Sequence, residues 1–187
     1  MYKVTDLLDP GQTYSVEPTM LYAETLSTPA SQTEWREENA PKLMEILDRY
    51  IIANIGEDMT LENMSDAVKI SKFALTRLFH KHYKQAPMRW LWSFRANLAK
   101  DVIQMDLGLP LMDVLTLCGF NSPQHFSRFF RKTFQQTPSA LLKNLNKEPT
   151  GPRDVQRQQQ ELYEAFDRVV TASLERYKAS FKESAPV

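Results

Sequence analysis

The feature that most limits how this chain can fold is a self-match at an offset of 51 residues. Leu75 to Pro87 lies over Phe126 to Pro138, and Ser71, Arg77, Phe79, Lys81, Gln85, Pro87 and Leu91 recur as Ser122, Arg128, Phe130, Lys132, Gln136, Pro138 and Leu142. Where identity fails, character persists: Leu61 pairs with Met112, Met64 with Leu115, Leu75 with Phe126 and Tyr83 with Phe134. Self-similarity at a fixed period marks one supersecondary unit used more than once.

Each copy parses as two helices joined by a tight turn. In the first, Leu61, Met64, Ala67 and Val68 form the inner stripe of a short helix, Lys69 and Ile70 turn the chain, and Ser71 caps the next helix. That second helix buries Leu75, Leu78, Phe79 and Tyr83 and turns Lys72, Phe73, Thr76, Arg77 and His80 outward. In the second copy, Leu111, Val114, Leu115 and Cys118 are the inner stripe and Gly119, Phe120 and Asn121 the turn. Ser122 is the cap, and Pro123 stands at the first helical position, where a missing N–H costs nothing. The outward ridge there is Gln124, Ser127, Arg128 and Arg131. Between the copies, Pro87 opens a helix to about Met105 whose Leu91, Phe94, Leu98, Val102 and Ile103 face inward.

A capped helix with a polar, Arg-bearing outer face has the chemistry to enter a DNA major groove. Arg donates two hydrogen bonds to guanine, Gln pairs with adenine, and an aromatic such as Phe73 presses on a thymine methyl. Lys81 and Lys132, one turn further along, suit phosphate contact, which fixes register without reading bases. The connecting helix, about eighteen residues or about 27 Å, is expected to space the two ridges near the roughly 34 Å between successive major grooves.

A formal net charge of zero looks wrong for a polyanion binder, but the sum conceals a partition. Residues 1–40 carry 2 basic and 7 acidic side chains, residues 41–147 carry 15 and 9, and residues 148–187 carry 6 and 7. Ala67 to Lys100 holds 8 basic residues and no acid, and Val114 to Lys147 holds 5 and no acid. Local fields of this kind, not the whole-chain sum, decide what a surface attracts.

Composition closes several other routes. No window has the roughly 18 apolar residues of a membrane span, and the first residues lack a signal peptide's apolar stretch, so the expected location is the cytoplasm. One cysteine excludes an internal disulfide, and Cys118 reads as a small core residue. His80 and His82 diverge on a helix and His125 is alone, so no metal site is expected. No Ser/His/Asp or paired-carboxylate arrangement and no Gly-rich phosphate cradle is readable, so neither catalysis nor a cofactor is expected. Trp90 and Trp92, two apart, divide between a core position and one covered by an extension or a partner.

Outside the repeat, residues 1–31 contain Pro10, Pro18 and Pro29 without a sustained period and read as an acidic arm with little structure, with one short extended segment at Tyr14 to Leu26. Ser31 precedes an acidic helix start at Glu34, Glu37 and Glu38, which Pro41 interrupts or restarts. Leu43, Ile46, Leu47, Tyr50, Ile51 and Asn54 continue at helical spacing and end at Gly56. A break at Lys147 to Pro152 precedes an amphipathic helix over 153–183, whose stripe (Val155, Leu162, Phe166, Val169, Val170, Leu174, Tyr177 and Phe181) must be buried on its own domain, a twin or a partner.

The run Cys118-Gly119-Phe120-Asn121-Ser122-Pro123-Gln124-His125-Phe126-Ser127-Arg128-Phe129-Phe130-Arg131-Lys132, followed by Thr137-Pro138, resembles the signature of the AraC/XylS family of bacterial transcription regulators. The likeness extends from about Lys42 to Leu145 and includes Ser71, Leu75, Arg77, Phe79, Pro87, Leu91, Arg95 and Ala99. It implies an all-α, bilobal, seven-helix fold with two helix-turn-helix units on a central helix, and promoter binding that recruits RNA polymerase. By the same likeness, the base-facing positions are Phe73, Thr76 and Arg77, then Gln124, His125, Ser127 and Arg128. Lys84 and Gln135 stand where the family usually has Gly, so those turns are expected to differ in shape. Family members often carry a sensory β-barrel ahead of this domain. The 40 residues preceding it here are too few, which directs attention to control by amount or by a protein partner.

The expectation is therefore a poorly structured acidic arm over 1–31, a double helix-turn-helix domain over 32–147 and a C-terminal amphipathic helix over 153–183. Double-stranded DNA is met by Lys72, Phe73, Thr76, Arg77, Lys81, Arg95, Gln124, His125, Ser127, Arg128, Arg131 and Lys132, and transcription is activated. Arg95 is weighed equally as a brace between lobes. The alternative is a non-catalytic interaction regulator, an antiactivator or polymerase adaptor, that keeps this fold and acts through its extensions, with 153–183 contacting a second copy or a partner.

Overall fold

The computed structural model of the chain describes residues 37–105, 109–145 and 155–183. The expected arm over 1–31, the short segment over 14–26, the first part of the acidic helix start and the break over 147–152 lie outside the described residues. Within them the regular elements are helical: α1 (Ala40–Ala53), α2 (Leu61–Ala67), α3 (Lys72–Tyr83), α4 (Pro87–Met105), α5 (Leu111–Leu117), α6 (Pro123–Phe134), α7 (Pro138–Asn144) and α8 (Val155–Glu183). The chain divides into two compact units, Met1–Trp90 and Leu91–Val187, with the division inside α4.

In the first unit, a 3-10 turn at Glu37–Asn39 leads into α1, and Pro41 stands within the first turn, so the helix restarts there. Leu43, Met44, Leu47 and Ile51 recur on one face and are buried. The helix ends at Asn54, two residues before the expected Gly56, because Asn54 doubly occupies the Tyr50 carbonyl. Its backbone N–H donates to that oxygen at 3.1 Å and its side-chain Nδ2 at 2.8 Å. Thr60 caps α2 by accepting from the Asn63 N–H while Asn63 Oδ1 accepts from the Thr60 N–H, a reciprocal capping box. Ser71 caps α3 by accepting from the Ala74 N–H at 3.1 Å. Phe79, Tyr83 and Trp90 then interlock with ring centroids 5.1–5.5 Å apart, which places Trp90 in the core of this unit.

The second unit repeats the plan with one change of register. Helices α3 and α6 have 12 residues each and start 51 apart, but α2 and α5, 7 residues each, start 50 apart. The turn shows why: the Ile70 N–H donates to the Ser65 carbonyl as the Phe120 N–H donates to that of Leu115, and Lys69 matches Gly119, both at positive φ. Asn121 is therefore an extra residue between turn and cap. The equivalents of Leu61 and Met64 are Leu111 and Val114, not Met112 and Leu115 as a constant offset requires, and Met112 is exposed. Lys69 takes the left-handed conformation without glycine's freedom. So do Lys84 (φ 53°) and Gln135 (φ 58°), which close α3 and α6. The expectation of differently shaped turns after these helices is thus overturned: both residues adopt the left-handed cap, at a cost on the order of 1 kcal/mol each.

Helix α8 settles where its stripe goes. Phe166, Val169, Val170 and Leu174 are buried within the chain, and Ser173 Oγ donates to Asp101 Oδ2 on α4 at 2.5 Å. Arg176 donates to the same oxygen at 2.9 Å, and Tyr177 packs on Phe94 with centroids 5.9 Å apart. The stretch of the stripe from Phe166 to Leu174 thus belongs to the second unit's own core, while the side chains of Val155 and Leu162 lie outside the described residues.

Candidate nucleic-acid interface

Burial of Ala74, Leu75, Leu78, Phe79 and Tyr83 on one side of α3 leaves the opposite ridge to solvent. Phe73 is 72% exposed, far too much for a core aromatic, and the Arg77 guanidinium lies 5.8 Å from its ring centroid. Arg77 and Lys81 are exposed further along the same ridge. Thr76 is half-buried, and its hydroxyl donates to the Lys72 carbonyl at 2.8 Å, leaving the oxygen as an acceptor. Lys72 is exposed but paired, its Nζ 3.0 Å from Glu62 on α2. The acid-free run of sequence is therefore not acid-free in space at Lys72.

Helix α6 carries the denser cationic face. Ser122 accepts from the His125 N–H at 3.3 Å and donates to Gln124 Oε1 at 3.0 Å, so the cap also holds the first polar side chain of the ridge. Only Phe126 and Phe130 of this helix are buried. Gln124, His125, Ser127, Arg128, Arg131 and Lys132 are all exposed, with no acid among α6's twelve residues. The inner side of the helix is fixed to α4 at both ends. The His125 ring meets Trp92 edge to face with centroids 4.9 Å apart, and Lys100 Nζ lies 5.0 Å from the Phe134 centroid.

Arg95 is a correction. It is 1% exposed, donates from Nη1 to the Gly119 carbonyl at 3.0 Å and lies with its guanidinium 5.0 Å from the Trp92 centroid. A side chain so enclosed has no reach to DNA, and its bond holds the α5–α6 turn within the second unit. Cys118, wholly buried behind that turn, has its thiol pushed well above the usual range, chiefly by burial. Of the two tryptophans expected to divide between the core and a covered position, Trp90 is the core one and Trp92 packs against Phe120 and His125 of its own unit. Its support of His125 was not readable from spacing, because it depends on how α4 meets α6. The Lys72–Glu62 pair crosses the α2–α3 turn, and ten residues of separation hid it.

A family model described as a helix-turn-helix domain matches residues 64–144. The HTH-type transcriptional regulator GbdR of Pseudomonas aeruginosa is 32% identical over 100 residues, covering 54% of this chain and 27% of GbdR. The HTH-type transcriptional regulator ArgR of the same species is 30% identical over 98 residues, covering 52% of this chain and 29% of ArgR. The chain thus matches less than a third of the length of these relatives. A crystal structure of an AraC-type DNA-binding domain-containing regulator from Chromobacterium violaceum superposes with a TM-score of 0.52 at 24% identity, over 59% of this chain and 97% of that one. With two capped helix-turn-helix units and these matches together, residues 64–144 form a helix-turn-helix domain that is similar in sequence to those of HTH-type transcriptional regulators and in fold to an AraC-type DNA-binding domain.

Proposed function

We propose that this protein is a sequence-specific regulator of transcription that binds double-stranded DNA with both units, α3 and α6 each reading one of two adjacent major grooves. The observation that carries this reading is the outer face of α6. Gln124, Ser127, Arg128, Arg131 and Lys132 are exposed together on a helix whose N-terminus is capped and whose length holds no acid. Such a face offers bidentate donors for base edges and cations for phosphates. On α3 the corresponding set is Phe73, Thr76 and Arg77 for bases, with Lys72 and Lys81 for the backbone. The relatives that match over this domain bear the names of transcriptional regulators, which supports the same role here.

In this proposal the protein works in the cytoplasm as an activator that meets RNA polymerase while bound to a promoter, and it performs no catalysis. No helix among the described residues is long and apolar enough to cross a membrane. Over the stretch Phe166 to Leu174, a contact of α8 with a second copy or a partner uses the opposite face, since Phe166, Val169, Val170 and Leu174 are buried.

Selection of bound fragments from random DNA tests the reading. A two-part motif is expected, with the parts about one helical turn apart. Arg77→Ala and Arg128→Ala should each relax preference in a different part, at a cost of about 1–3 kcal/mol. Equal losses on every DNA sequence would reduce the arginines to phosphate contacts, and affinity indifferent to added salt would refute DNA binding of this kind.

A further inference from the structure

The two units hold their reading helices differently. At the third helical position of α3 stands Ala74, 2% exposed and part of the core. The same position of α6 is His125, exposed, with its ring enclosed on the inner side by aromatic neighbours. Trp92 lies 4.9 Å away at 82°, Phe120 at 5.9 Å and Phe129 at 6.1 Å. Trp92 is itself backed by Phe120 at 5.4 Å and by the buried Arg95 guanidinium at 5.0 Å. Arg95 in turn is hydrogen-bonded to the turn that launches α6. Hydrogen bonding within the described residues involves the His125 backbone N–H and neither ring nitrogen. The ring is thus fixed in orientation while its polar atoms are left to a ligand.

We propose that Trp92 is a positioning residue for DNA reading: it orients the His125 ring before DNA arrives and so sets base preference at the subsite of α6. The inference rests on the DNA-binding reading above and adds to it a residue outside either reading helix. An exposed histidine with free rotamers gives up that freedom on binding, whereas one already seated against an aromatic does not. Aromatic contacts of this geometry are strong enough to hold a ring in place. The expected gain in affinity is about three- to tenfold, the size of an ordering cost removed.

The test uses the full chain and its selected DNA site, with a scrambled site as control, in a cycle of Trp92→Leu, His125→Ala and the double variant. Trp92→Leu should weaken binding to the selected site about three- to tenfold and flatten preference only at the bases assigned to α6. Its affinity for scrambled DNA and its salt slope should stay as in the wild type, Trp92→Phe should restore most of the loss, and in a His125→Ala background Trp92→Leu should add nothing. Losses that simply add would mean that Trp92 acts through the fold and not through His125, and an unmoved α6 preference would overturn the proposal outright. If Trp92→Leu does not fold, Trp92→Met, which also removes the aromatic face, replaces it in the same cycle, and additivity again overturns. A wild-type chain that selects no motif defeats the DNA reading and this inference together, whereas a selected motif insensitive to Trp92 defeats this inference alone.

Discussion

Replacing Arg95 with methionine separates a structural arginine from a DNA-contacting one. Methionine fills the volume of the aliphatic stem but donates nothing, so the buried Gly119 carbonyl loses the bond it accepts at 3.0 Å. Leaving that oxygen without its donor costs about 1–3 kcal/mol. Loss of the guanidinium over the Trp92 ring adds about 0.5–1 kcal/mol. The second unit should therefore be destabilised by about 1.5–4 kcal/mol, a large part of a typical folding margin of about 5–15 kcal/mol. For a unit of this size the melting temperature should fall by at least about 6 °C. Urea unfolding followed by tryptophan fluorescence reads the stability term, and DNA titrations across salt concentrations, at a temperature where the variant is folded, read the other. A phosphate-contacting arginine would flatten the slope of log K against log salt by about 1 when removed. The expected result is a clear stability loss with an unchanged slope. Wild-type stability with a flattened slope would refute the placement of Arg95 in the interior.

Two further outcomes follow from burial. Leu174 on α8 is 1% exposed, so Leu174→Ala should cost about 2–5 kcal/mol, and removal of residues 153–187 should unfold the second unit, seen as lost near-UV circular dichroism; a truncated chain with wild-type melting would refute the docking of α8. The Cys118 thiol is held neutral in the folded state by burial, so the unfolded chain alone ionises above the ordinary thiol pKa of about 8.5. Stability should be level below that pH and fall as pH rises above it, a decline that Cys118→Ala removes; thiolate absorbance appearing at pH 9 in the folded protein would contradict this.

The repeat was legible because each copy states the same local instructions: a serine cap at Ser71 and Ser122, alternating burial along the next helix, and a proline opening the one after. What a constant offset could not show is that Asn121 is inserted between turn and cap, since hydrogen-bond register and not residue identity aligns Leu61 with Leu111. The ridges of α3 and α6 were readable from spacing, and Phe73 and Arg128 are exposed as that spacing requires. Sequence alone divides Arg95 between a brace and a DNA contact, because a cation on a helix looks the same whether it meets solvent or a carbonyl from a turn 24 residues away. The destination of the α8 stripe was undetermined for a similar reason: Asp101 and Ser173, 72 residues apart, supply the contact that fixes it.

Zero net charge does not oppose binding to a polyanion, because at physiological salt charges more than about 8 Å apart are largely screened from one another. The cations that matter are those on the reading helices: Lys72, Arg77 and Lys81 on α3, and Arg128, Arg131 and Lys132 on α6. Phosphate contacts from Lys72, Lys81, Arg131 and Lys132 would give a salt slope of about −3.6. Lys72, however, already holds Glu62 at 3.0 Å, so a phosphate must displace that carboxylate and returns less than an unpaired lysine would. Glu62→Gln keeps the shape of the side chain and removes the competitor. Affinity for DNA should rise a few-fold at low salt, and the slope should steepen by up to about 0.9, the share of one phosphate. Stability should barely move, because both partners of the pair are well over a third exposed and such pairs contribute little. Titration of both proteins on the same duplex across a salt series reads the difference. An unchanged slope would mean that Lys72 stays with the protein when DNA binds, and that the first unit relies on Lys81 for its grip on the backbone.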